Sequence, residues 1–172
     1  MLYLLSMDEY LDLVDARDNV IRRKWRSEVY REGLSNFRVV NAFVKNSSGQ
    51  LWIPLRGPNK RIFPNALDLS VGGHVESGET YDFSFARETS EELGIDVSNV
   101  QWKLLGKCTP HEHGVAAFMQ VYEISAEAVP NWNHDDFTEA FWLTPAEIHQ
   151  RIVSGEKAKP DLTTLLDIFY PA

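Results

Sequence analysis

GGHVESGETYDFSFARETSEELGI, residues 72–95, opens on a glycine-rich turn and then sets Glu88, Glu91 and Glu92 within five positions of one another. Thr80 reads as a helix N-cap and Gly94 as the residue that ends the helix, because a threonine hydroxyl accepts from an otherwise unpartnered N–H and glycine tolerates the left-handed turn. At about 100° per residue, Phe83, Ala86, Ser90 and Leu93 fall on one arc, and the three glutamates fall on the opposite one. Like charges three or four residues apart each destabilise a helix by roughly 0.2–0.5 kcal/mol, so Glu88/Glu91 and Glu88/Glu92 oppose the fold unless a cation sits among them. Arg87 is a single cation and cannot relieve both pairs. Three carboxylates, with His74 the only nitrogen donor nearby and no cysteine, suit a hard divalent ion; Mg²⁺ in particular keeps waters and shares substrate phosphates.

Three glutamates alone fit a solvated acidic face as well as a metal site. The spacing separates the two readings. From Gly73 the chain runs glycine, five residues, Glu79, seven residues, Arg87-Glu88, two residues, Glu91-Glu92, one residue, Gly94, Ile95. This pattern resembles the box of the Nudix hydrolase family, a loop-helix-loop that binds divalent metal and the substrate's diphosphate. Thr89 departs from the family's usual aliphatic residue, a mild change because a β-branched side chain still suits a half-buried helical position. The resemblance implies that Glu88, Glu91 and Glu92 hold the metal, Mg²⁺ or Mn²⁺ in its place, with the Gly72 carbonyl as a further ligand. It also implies that Gly73, Glu79 and Gly94 shape the box, and that Arg87 with Glu79 holds the loop and the first glutamate. Glu88, Glu91 and Arg87 would then stand at the reacting centre, with Glu88 or Glu91 as the general base; Glu112 and Glu139 are alternatives outside the box.

The flanks extend the likeness. FRVVNAFVKNSSGQLWIPLR resembles the strand pair before a Nudix box, and EAFWLTPAEI the strand and helix after it, which implies an α/β/α sandwich around a mixed sheet. The residues alone agree: QWKLLGKCT and VAAFMQVYEI read as strands parted by a turn at PHEHG, and TPAEIHQRIVSG carries a capping box from Thr144 to Glu147. A last helix follows Pro160, with Leu162, Leu165, Leu166 and Phe169 at helical spacing. YLDLVD and VIRRKW flank Asp18-Asn19 as a hairpin, and SEVYREG reads as a short helix with Ser27 as its cap. Residues 1–35 are thus expected to be an N-terminal hairpin and helix extension, and residues 36–172 the hydrolase domain.

The chain of 172 residues has 25 acidic and 17 basic side chains, a net charge of −8 that disfavours duplex nucleic acid as a partner. A local basic loop can still hold phosphate, and Arg56, Lys60 and Arg61 in LRGPNKRI are the candidates, in balance with an ordinary solvated loop. Cys108 is the only cysteine, which excludes an intrachain disulfide and fits a reducing compartment. MLYLL lacks the basic flank and length of a signal peptide, and no run approaches a membrane span, so the expected location is the cytoplasm. His111 and His113 lie in a turn rather than at metal-ligand spacing on a helix, and Trp132 and Phe137 read as packing residues before base-stacking ones.

The family resemblance implies a small-molecule nucleotide substrate, a nucleoside di- or triphosphate or related derivative cleaved at a phosphoanhydride. Members often form homodimers, which no feature of this sequence decides. One rival is a non-catalytic nucleotide-binding module, whose usual mark is a lost box glutamate; all three are present here. Another is isopentenyl-diphosphate isomerase, which RIFPNALDLSVGGHVESGE also resembles. That enzyme needs a cysteine just before the Gly-His pair, where this chain has Gly72.

Overall fold

A computed structural model describes residues 8–129 and 131–171; the opening MLYLL and Pro130 lie outside the described residues. A hairpin of β1 (Tyr10–Val14) and β2 (Val20–Trp25) runs into α1 (Arg26–Arg31). There follow β3 (Arg38–Lys45), β4 (Leu51–Arg56), β5 (Val71–His74) and the long helix α2 (Tyr81–Leu93). Strand β6 (Gln101–Cys108), the single helical turn α3 (Pro110–His113), β7 (Phe118–Ser125), β8 (Phe137–Leu143), α4 (Pro145–Val153) and α5 (Pro160–Phe169) complete the chain. Among the described residues no helix is long and apolar enough to cross a membrane.

The main sheet has the order β6-β7-β3-β4-β8, with β5 also on β3. β3 and β7 are parallel and the other pairs antiparallel, which makes the sheet mixed. β3 and β4 meet only at their turn, at Lys45↔Leu51, and then diverge. β5 takes the edge that β4 leaves, from Ala42↔Val71 to Val39↔His74. Side chains alternate along β3 as the pleat demands. Val40, Ala42 and Val44 join Trp52, Tyr122 and Ile124 under Phe85 and Leu93 of α2. On the other face Phe43, Ile53, Met119 and Val121 pack against Ile148 of α4 and Leu162, Leu165 and Leu166 of α5. Helices therefore cover both faces of the sheet, an α/β/α sandwich.

The caps of α2 follow the sequence: Thr80 accepts from Phe83 N–H at 3.2 Å, and Gly94 closes the helix at φ 65°. Its buried arc does not. Phe83 is 60% exposed and Ser90 is exposed, whereas Ser84, Phe85, Thr89 and Leu93 are buried. The row Phe85-Thr89-Leu93 faces the sheet, where Phe85 stacks on Tyr122 with ring centroids 4.0 Å apart. The neighbouring row Ser84-Glu88-Glu92 turns toward β5, so two of the three glutamates point inward rather than to solvent. The reason is tertiary: β5 presents two bare glycines and a free N–H to this row, which a helical-wheel average cannot register. Thr89, expected at a half-buried position, is fully buried. The PHEHG segment, expected as a turn, winds into α3 and ends at Gly114 with φ 70°. α1 begins at Arg26 with no side-chain cap, and the Ser27 hydroxyl donates to Asp8 instead.

Candidate active site

Arg87 organises the box. Its Nε and Nη2 form a fork on Glu79, at 3.1 and 2.9 Å, and Nη2 also donates to the His74 carbonyl at 3.0 Å. Nη1 donates to Glu88 at 2.8 Å and lies 3.5 Å from Glu91. Glu79 accepts in addition from Ser84 Oγ at 2.6 Å and from the Glu76 N–H at 3.1 Å. Burial works against the Arg87 charge, but Glu79 and Glu88 outweigh it and hold the guanidinium above its ordinary pKa. This fork joins the loop, the edge of β5 and the first acidic residue into one unit, and a flexible ammonium could not reproduce it.

The edge of β5 supplies the other wall. Val75 N–H bonds to Arg38, so in the antiparallel pairing Gly72 and His74 turn their polar groups away from β3. The Gly72 N–H accordingly donates to Glu92 Oε2 at 3.0 Å, and the Gly72 carbonyl shares that open side. Gly73 is needed for closeness: a Cβ there would stand 1.9 Å from Glu88 Cδ. At Gly72 a Cβ would meet Asn41 Oδ1 at 3.0 Å, a tighter fit than most.

The carboxylates sit in unlike surroundings. Burial pushes the Glu88 pKa up to about 7; Arg87 pulls the other way, and Glu91 and Glu9 add to the rise. Glu92 is raised well above the usual carboxylate range, first by burial and then, against the Gly72 N–H, by Glu88, Asp68 and Asp136. Glu91, with its side chain 59% exposed, stands at the rim. His74 donates no charge: burial, then Arg26, Lys159 and Arg87, lower its pKa to about 3, and its ring nitrogen meets the Tyr30 hydroxyl at 2.9 Å.

Among the described residues no three carboxylate, imidazole or thiol side chains converge on one point. The donor chemistry nonetheless fits a hard divalent ion. Glu88 and Glu92, one turn apart and both turned onto β5, are desolvated carboxyls whose charged forms lack a full counter-charge, and every other donor at hand is oxygen.

The basic candidates divide. Arg56 is consumed by its own surroundings, donating to Asp68 at 2.6 Å and to the Ile62 and Phe63 carbonyls. Lys60 pairs with Asp136 and so ties the 57–66 loop to the 131–136 segment. Arg61 is exposed. Three groups that the sequence reading missed lie nearby: Asp68, Asp136 and Lys159. Lys159 pairs with Asp68 at 3.1 Å and reaches 3.9 Å from a Cβ position on Gly72. No local pattern marks them: Lys159 meets Asp68 where Leu67 bonds with Lys157 and Lys159, and Asp136 is brought in through the Gly57 N–H and Lys60.

Elsewhere, the Thr109 hydroxyl, just before α3, donates to Glu112, and Phe137 is 2% exposed and packs on Trp52. Trp132 packs on His134 with ring centroids 3.9 Å apart and the rings tilted by 44°. Glu139 pairs with Leu55 in the β4–β8 ladder. The 131–136 segment bears on α2 instead, through a bond from Asn133 N–H to the Glu92 carbonyl at 2.7 Å and contact of Asn131 with Gly94.

A NUDIX domain model matches residues 35–164. The chain is 54% identical over 162 residues to an uncharacterized Nudix hydrolase of Nostoc sp., covering 94% of this chain and 96% of that one. It is 46% identical over 159 residues to a Nudix hydrolase of Deinococcus radiodurans, at 92% of each. A crystal structure of a Deinococcus radiodurans protein superposes with a TM-score of 0.89 at 46% identity, over 94% of this chain and 99% of that one. A MutT protein of Methanosarcina mazei shares the fold at a TM-score of 0.54 and 20% identity, over 77% of this chain and 91% of that one. Box, fold and relatives agree, and the chain belongs to the Nudix family of hydrolases.

Proposed function

We propose that the protein is a Mg²⁺-dependent pyrophosphohydrolase that cleaves a phosphoanhydride of a nucleoside di- or triphosphate or a related nucleotide derivative. The observation that carries this reading is the inward-turned, half-buried pair Glu88 and Glu92 against the bare backbone of Gly72 and Gly73. Two carboxyls held there with raised pKa values form a site that a divalent cation neutralises. Glu88, Glu92 and the Gly72 carbonyl would hold the ion, with Glu91 joining from the rim. When bound, the ion neutralises phosphate oxygens and acidifies the attacking water.

The chain's own groups do the rest. Of the two box carboxyls placed at the reacting centre, Glu88 is the one to which we assign the water proton, because it turns inward beside the Gly72-Gly73 edge while Glu91 stands at the rim. Arg87 fixes its orientation through the bond at 2.8 Å. Arg61, exposed in its loop, is the basic side chain we assign to a terminal phosphate; Lys159 stands beside Gly72 but is paired with Asp68 at 3.1 Å. A cytoplasmic location accords with the lone Cys108 and its buried thiol. That thiol lies in the core on the α5 face, with its pKa pushed up to about 11 by burial and by Asp161, so it offers nothing to isomerase chemistry.

The test is a release screen for phosphate and nucleoside monophosphate. It runs over nucleoside di- and triphosphates, nucleotide sugars, dinucleoside polyphosphates and isopentenyl diphosphate, with and without Mg²⁺, for wild type and Glu92→Gln. Turnover that needs both the metal and Glu92 is expected. Retained Mg²⁺-dependent turnover in Glu92→Gln sinks the metal assignment, and saturable nucleotide binding without turnover in the wild type would replace the hydrolase with a binding module.

A further inference from the structure

The N-terminal hairpin is fastened to the box at two points, and one of them is a carboxylate with no ion pair among the described residues. Asp12, on β1, is 9% exposed. It accepts from Ser77 Oγ at 2.6 Å and from the Gly78 N–H at 3.0 Å. Beside it the Ser77 N–H bonds to the Tyr10 carbonyl at 2.7 Å, and Leu11 bridges to Glu76. The second fastening is Asp18 in the hairpin turn, which accepts from the Tyr81 hydroxyl in the first turn of α2 at 3.0 Å and pairs with Arg38 and Lys107.

Asp12 and Asp18 therefore hold both ends of the segment 77–81. Gly78 sits there at φ 87°, a conformation that the short loop must keep for Glu79 to reach back under Arg87. From Asp12 the contacts run without a gap through Ser77 and Gly78 to Glu79, from Glu79 to Arg87, and from Arg87 to Glu88 and Glu91. A buried carboxylate is costly to place without a counter-ion, and its only evident use here is to accept from that loop.

We infer that Asp12 is a positioning residue for the box: it acts through the Ser77-Gly78 turn and Arg87 on the orientation of Glu88, and makes the hairpin a working part of the site. This rests on the metal reading above. Asp12→Asn keeps the size of the side chain but sets an amide against one of the two donors, and Asp8→Asn is the comparison. Asp8, just before β1, accepts from Ser27 N–H at 3.1 Å and Ser27 Oγ at 2.5 Å and has no hydrogen bond to the box among the described residues.

Three quantities are measured in the full chain: amide hydrogen exchange at Gly78, Mn²⁺ affinity from the free-ion resonance signal, and the separate kcat and KM. In Asp12→Asn, Gly78 exchange should accelerate about tenfold, and Mn²⁺ affinity and kcat should fall by roughly 10-fold or more with KM little changed, as for partners that orient metal ligands. Asp8→Asn should leave all of them within twofold. Unchanged Gly78 exchange together with unchanged Mn²⁺ affinity in Asp12→Asn overturns the inference, as does an equal effect of Asp8→Asn. Should the wild type bind no Mn²⁺ while Gly78 exchange still accelerates, the metal reading fails and the loop-holding role of Asp12 stands.

Discussion

Replacing Thr89 by valine is expected to stabilise the protein. Thr89 is fully buried in the middle of α2, and its Oγ1 is the one buried side-chain polar atom without a hydrogen-bond partner among the described residues. Burying an unmatched hydroxyl costs about 1–3 kcal/mol in proteins, while valine has nearly the same shape and helix propensity. The swap leaves the Phe85-Thr89-Leu93 packing intact and removes only the stranded polar atom. A gain of about 1–2 kcal/mol follows, which for a domain of this size raises Tm by roughly 2–8 °C. Urea titration should show a higher midpoint at unchanged slope. Thr89→Ser keeps the hydroxyl and removes a methyl, so it should lose about 1 kcal/mol. If Thr89→Val is neutral or destabilising, the hydroxyl has a partner, a buried water or the Phe85 carbonyl, and the reasoning fails.

Other consequences are open to direct measurement. Glu88 is raised from 4.5 to about 7 in the fold, so its stabilising share is complete below about pH 4.5 and disappears as pH climbs through 7. The metal-free protein should lose up to roughly 3 kcal/mol over that window, and Glu88→Gln should flatten the decline in a Tm-versus-pH series. A wild-type curve with no fall between pH 5 and 8 would contradict the burial of this carboxyl. Gly73→Ala puts a Cβ 1.9 Å from Glu88 Cδ and must displace that side chain, so kcat should drop about 100-fold with the circular dichroism spectrum unchanged. Full activity would mean that Glu88 does not work where the structure holds it. Arg56→Ala should lower stability with little effect on KM, because its guanidinium is knit to Asp68 and two carbonyls, whereas Arg61→Ala should raise KM. The reverse pattern would exchange their roles.

What the sequence determined by itself is the chemistry that proceeds by fixed local offsets. Thr80 and Gly94 bound α2, Thr144 and Glu147 cap α4, and the leucines after Pro160 face the core, because caps and helical faces depend on neighbours within a turn or two. The family resemblance added that Arg87 with Glu79 holds the loop and the first glutamate, and in the structure Arg87 donates to both Glu79 and Glu88. The tertiary structure decided which way α2 is rotated. Phe85 found Tyr122 and Glu92 found the Gly72 N–H, which left Phe83 outside and turned two acidic residues inward, against the arc that averaged apolarity predicts. It also decided what stands beside them. Asp12, Asp68, Asp136 and Lys159 come from distant segments whose local sequence carries no mark, and they acquire meaning only where strand pairing and helix docking set them against the box. Arg56, one of the phosphate candidates in the basic loop, is spent on Asp68 and its own loop, since a charged group in a half-buried place takes the nearest partners that satisfy it.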